Sequence, residues 1–167
     1  DWSSDVCSSD LIVKSVLQRE GPSQNDDHIL IGLDTYLDKR NAYIFGLNPF
    51  GTQEDALVTD EGPPNWNWES VYWSQARITS DGWVLEVAIP FTTLRFPDVT
   101  NPVMGLALYR QIRRKNEEAF WPPIPRNFSS QFFQVSRYGR LEGLEGIKAG
   151  RNLQIKPYLL QIGRAHV

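Results

Sequence analysis

The chain has 167 residues, with 17 Lys and Arg against 20 Asp and Glu, a formal net charge of −3, one cysteine and two histidines. So nearly neutral a balance leaves no electrostatic footprint for nucleic acid, and one cysteine forms neither an internal disulfide nor a Cys-based zinc site. No run of eighteen apolar residues is present to build a membrane-spanning helix, and the length suffices for one domain with its own core.

Residues 1–11, DWSSDVCSSDL, fit neither the helical nor the strand period. One codon choice for Asp5 to Asp10, GAC GTG TGC TCT TCC GAT, has the reverse complement ATC GGA AGA GCA CAC GTC. That strand reads IGRAHV, which is Ile162 to Val167. Residues 1–11 and 162–167 are therefore expected to be translated from a sequencing-library adapter, and they are set aside from fold reasoning. Removing Asp1, Asp5, Asp10 and Arg164 leaves 16 basic and 17 acidic residues, no cysteine and the one histidine His28.

From there strand patterns dominate. HILIGLDTY (28–36) is apolar and β-branched, and AYIFGLN (42–48) alternates, so the two read as a hairpin across LDKRN. NPFG (48–51) is a Pro/Gly turn, followed by a third strand, EDALVTD (54–60). SVYWSQARIT (70–79) and GWVLEVAIP (82–90) flank the turn Ser80-Asp81-Gly82. In the second arm Trp83, Leu85, Val87 and Ile89 share a face, and Pro90 ends the ladder.

FTTLRF is expected to form one helical turn, and VMGLALYRQI (103–112) a sixth strand. RRKNEE reads as a charged turn, and FWPPIPRN as an extended, Pro-stiffened loop. The Gly-punctuated stretch from Phe132 leaves room for one more strand, and NLQIKPYLLQ (152–161) alternates again. Short, evenly spaced strands without helical patterns predict an all-β, antiparallel β-sandwich.

Catalytic motifs are absent: there is no G-x-S-x-G elbow, H-E-x-x-H pair, Walker loop or G-x-G-x-x-G. His28 has no triad partner signature. The aspartates around the first strands offer hard oxygens, and Asp34 with Asp38 are the candidate calcium ligands; no other cofactor is expected. The same residues also suit turn stabilisation. NWNWESVYW concentrates aromatic rings, and Trp121 lies in the second Pro-rich loop. Trp66, Trp68, Tyr72 and Trp121 are thus candidate stacking surfaces for a sugar, with Glu69 or Arg113 as polar anchors; core packing is the competing role for the rings.

Four ordered stretches carry a resemblance: DTYLDKRNAYIFGLNPFGTQEDA (34–56), NWNWESVYW (65–73), GWVLEVAIPFTTLRF (82–96) and RQIRRKNE (110–117). From about residue 25 to 161 the chain resembles bacterial outer-membrane-associated proteins. Their N-terminal part is similar to carbohydrate-binding module family 9, and their C-terminal domain, of unknown function, is expected to be a membrane β-barrel. The resemblance implies a family 9-like sandwich over 12–146, lacking its opening strands, and the start of the barrel over 147–161. Such barrels are built from alternating ten-residue strands.

It further implies a non-catalytic module at the outer membrane or in the periplasm, with a glycan and its own barrel as partners and no nucleic acid. Two alternatives accompany it. One is a structural plug or periplasmic partner of the barrel without a sugar ligand. The other is a module associated with glycoside hydrolysis in carbohydrate catabolism, which needs two carboxylates converging in one pocket.

Overall fold

The computed structural model describes residues 11–21, 23–128 and 131–148. The adapter-like ends, apart from Leu11, and the expected barrel strand at 152–161 lie outside them. Among the described residues there is no α-helix; eight strands and a few single 3-10 turns make up the regular structure. The strands are β1 (His28–Asp34), β2 (Ala42–Leu47), β3 (Gln53–Val58), β4 (Trp73–Thr79), β5 (Gly82–Ala88), β6 (Met104–Ile112), β7 (Glu117–Trp121) and β8 (Gly139–Leu141). Every pairing is antiparallel, as the alternating sequence predicts.

One sheet runs β3-β2-β1-β6-β7, with β8 also paired to β6, while β4 and β5 form a separate ribbon. Strand alternation assigns side chains to its two faces. Leu33, Phe45 and Leu47 point to one face and pack with Tyr72, Leu94 and Phe96 under the inner side of the β4–β5 ribbon. Leu30, Ile44, Ala56, Val58 and Ala107 point to the other and pack with Phe132 and Val135 from the segment after β7. The second face is thus closed by irregular chain, not by a second sheet.

Two expectations are corrected here. FTTLRF is a turn closed by Thr93 N to Pro90 O at 2.9 Å and Leu94 N to Phe91 O at 3.2 Å, not a helical segment. Phe120 and Trp121, placed in a loop by the prolines after them, are the end of β7. The 3-10 turn Arg113–Lys115 and left-handed Asn116 return the chain so that Glu117 pairs with Ile112. The hairpin turn is therefore RRKN, and the two glutamates read with it open β7, with Lys115 and Glu117 at 3.9 Å.

The segment before β1 is strapped to the sheet by carboxylates. Asp26, fully buried, accepts from Ser15 N at 2.7 Å, Ser15 Oγ at 2.7 Å, Val16 N at 2.9 Å and Asn48 Nδ2 at 3.0 Å. Asp27 accepts from Arg113 N at 2.6 Å, tying the strap to the β6–β7 turn. At the other sheet edge Arg19 reaches buried Asp55 at 2.6 Å and Gln53 Oε1 at 2.6 Å.

Candidate ligand-binding cleft

The face of the sheet opposite the β4–β5 ribbon carries an open cleft of about 1570 Å³. It exceeds the roughly 300–1,000 Å³ of most small-molecule pockets, leaving room for an extended ligand. Its floor comes from inward positions of β3, β1, β6 and β7: Glu54, His28, Gln111 and Glu118 among the polar groups, Leu30 and Phe120 among the apolar ones. Ile124, Arg126 and Phe128 together with Gln131, Phe132 and Phe133 form one wall and the Ser23–Gln24 turn another. Trp66, 41 % exposed, stands at the cleft edge-to-face with Phe133, ring centroids 6.4 Å apart.

The floor's electrostatics follow from burial. Glu54 lies over Gly46, where a Cβ would come within 2.7 Å of the carboxyl carbon, so only glycine admits it there. Burial pushes the Glu54 carboxyl above its usual range, although Ser23 Oγ donates to Oε2 at 2.5 Å. Burial likewise holds the His28 ring below the usual histidine value, against the opposing pull of the Asp26 carbonyl and nearby carboxylates. Tyr109, tilted 5.3 Å from the His28 ring, donates to Glu118 Oε1 at 2.9 Å; burial and that bond raise its phenol.

Of the six ligand residues expected from the sequence, only Trp66 lines this cleft. Trp68 is half-buried and packs on the core against Tyr43 and Phe45, with centroids 5.1 and 6.2 Å apart. Tyr72 is buried, its ring 5.1 Å from Phe45 and its hydroxyl directed at Gly46 O, 3.1 Å, and Glu54 O, 3.0 Å. The four rings do not share one platform, because Tyr72 and the packed side of Trp68 complete the layer between sheet and ribbon. Trp121 is exposed but pairs with Leu108, so strand alternation turns it to the face away from the cleft. Glu69 is exposed outside the cleft, and Arg113 begins the 3-10 turn with its backbone N–H on Asp27.

The calcium candidates are engaged elsewhere. Asp34 Oδ1 and Oδ2 accept from Asp38 N at 3.1 Å and Lys39 N at 2.8 Å. Asp38 Oδ1 accepts from the Arg40 and Asn41 N–H groups, and Oδ2 from Asn41 Nδ2 at 2.6 Å. These carboxylates organise the β1–β2 turn, and among the described residues no three potential ligands converge on a metal position.

Sequence reasoning missed His28, Glu54, Gln111 and Glu118 as a group. The available signal was a polar residue continuing an inward apolar row, as Glu54 does before Ala56 and Val58. What joins them is strand register, which spans up to 90 residues of sequence between His28 and Glu118.

No family profile and no curated protein matches the chain. A solved structure does: a carbohydrate binding module family 9 from Caldicellulosiruptor kristjanssonii, in complex with cellotriose, is similar over 88 % of this chain and 70 % of its own, with a TM-score of 0.53 and 15 % identity. A likeness at that identity concerns architecture, and this protein has an all-β, antiparallel fold like that of carbohydrate-binding module family 9.

Proposed function

We propose that the chain is a non-catalytic glycan-binding module whose ligand lies in the cleft. The observation that carries this reading is Trp66, exposed at the mouth of a cleft whose floor alternates polar groups with Leu30 and Phe120. Sugars offer an apolar ring face and a rim of hydroxyls, and this arrangement has a partner for each. The module sharing the fold was solved with cellotriose, which makes a neutral oligosaccharide the first probe. Affinity electrophoresis in gels containing soluble β-glucan should retard the protein, and Trp66→Ala should weaken retention about tenfold. Unretarded migration across soluble glucans, xylans and mannans alike would defeat the reading.

The parent protein, on this proposal, sits at the outer membrane with the module on its periplasmic side. Support comes from the four sequence stretches that resemble outer-membrane-associated proteins and from the alternating 152–161 segment. Fractionating cells that carry the uninterrupted gene should place the protein with outer-membrane markers, and recovery in the cytosol would contradict it. A structural contact with the barrel is favoured by a different surface. Leu108 and Trp121, directly opposed on β6 and β7, are both exposed on the face away from the cleft. Under that second reading Trp121→Ala leaves glycan binding intact and loosens the module from the barrel in crosslinking.

A further inference from the structure

We infer that His28, Gln111 and Glu118 form a transverse hydrogen-bonding row that orients the ligand and requires adjacent hydroxyl groups on it, an inference that rests on the glycan reading above. The three stand directly opposite one another on β1, β6 and β7, His28 against Gln111 and Gln111 against Glu118. Opposed Cβ atoms lie about 5 Å apart, so the row spans about 10 Å. The next row inward, Leu30, Tyr109 and Phe120, is apolar and aromatic. A flat ligand can thus rest on one row while its edge meets the other.

Each member has an unused group. The His28 Nδ1 contact is with the Asp26 carbonyl, 3.3 Å away. A carbonyl only accepts, so Nδ1 carries the proton and Nε2 keeps a lone pair. Gln111 is 8 % exposed, and its amide has no hydrogen-bond partner among the described residues. Among them Ser70 Oγ is the enclosed polar side-chain atom without a partner. The free Nε2 of His28 and the Gln111 amide are therefore open to the cleft and not sealed in the core. Glu118 uses Oε1 for the Tyr109 hydroxyl and has a second oxygen remaining.

Read across the sheet, the row presents an acceptor, a donor with an acceptor, and an acceptor. A vicinal diol satisfies it by donating to His28 and Glu118 while accepting from the Gln111 amide. A carboxylate or sulfate has no proton to donate at neutral pH, and it meets a lining in which the acidic Glu20, Glu54, Glu117 and Glu118 outnumber the basic Lys115 and Arg126. The row therefore selects for hydroxyl-rich, uncharged ligands.

Titration calorimetry of the full chain with cellotriose, maltotriose and trigalacturonic acid tests this. The expected result is binding of a neutral trisaccharide, at least a tenfold loss in Gln111→Leu, and parent affinity in Trp73→Ala, whose ring is 61 % exposed on the outer side of the ribbon. Parent affinity in Gln111→Leu, or tighter binding of trigalacturonic acid than of either neutral sugar, overturns the inference and leaves the glycan reading standing. If none of the three binds, the inference falls, and the glycan reading falls with it when the gels of soluble glucans, xylans and mannans show no retardation either. Should Gln111→Leu fail to fold, ring NMR of the parent decides: saturating sugar must shift the His28 signals and leave those of His166, and unmoved His28 signals overturn the row.

Discussion

At the residue scale, Tyr72 shows how an aromatic in a Trp-rich stretch serves the core. Its hydroxyl lies between Gly46 O and Glu54 O, bracing β2 and β3. Tyr72→Phe removes the donor and leaves buried carbonyl capacity unmet, so it should destabilise the fold by about 0.5–1.5 kcal/mol in urea unfolding. Gly32→Ala should cost more. A Cβ there would sit within 2.8 Å of Tyr138 ring carbons and press on its hydroxyl. Tyr138 is held by its bond to Phe132 O at 3.1 Å, so relief requires moving the segment that closes the cleft face. A loss of about 1–3 kcal/mol follows from overpacking. Neither role is legible in the sequence. NWNWESVYW announces aromatic rings, but Trp and Tyr are equally at home half-buried and exposed. Which ring goes where was decided by the path of the 65–72 segment, which is pinned to β3 by the Asn65–Leu57 bridge and carries Trp66 to the cleft and Trp68 and Tyr72 toward the ribbon.

At the scale of elements, the Asp26 carboxylate gathers most of the hydrogen bonds that hold the segment before β1. Burial alone would raise the Asp26 pKa, yet the N–H groups of Ser15 and Val16, the Ser15 hydroxyl and the Asn48 amide together hold it below its ordinary 3.8. A depressed acid stabilises the fold above its unfolded value and loses that contribution as pH falls through the folded one. Hydrogen exchange at the Ser15 and Val16 amides should therefore be slow at neutral pH and accelerate below pH 3.8. Exchange there that ignores pH, after correction for intrinsic rates, would contradict the strap. Glu54 has the opposite sign: its raised pKa favours the folded state at low pH and loses that advantage as pH rises. Local exchange at the strap thus isolates Asp26 where global stability does not. Asp26→Ala should cost about 2–4 kcal/mol by orphaning buried donors.

The strands themselves were legible where alternation was clean. β1, β2, β4, β5 and β6 fall within the predicted stretches and β3 begins one residue before its own, because one or both faces are packed and the chain records that packing. β7 escaped notice because its prolines follow immediately and its first residues, Glu117 and Glu118, look like turn. The ladder with β6 determines that strand, and Phe120 and Trp121 extend it.

For the whole molecule, the arrangement divides labour between two faces of one sheet. The ribbon side is closed by aromatic packing, and the other side is closed only in part, leaving a cleft floored by three polar side chains in register. The β-sandwich class followed from evenly spaced strands, whereas the cleft did not, since it depends on how irregular chain after β7 folds back. The most direct test of the cleft as the binding site is a crystal structure of the chain with a bound neutral trisaccharide. The account predicts a sugar ring against Trp66 or Phe120, with hydroxyls within hydrogen-bond distance of His28 Nε2 and the Gln111 amide. A sugar seated on Trp73 or Trp121, with the cleft left to solvent, would contradict it.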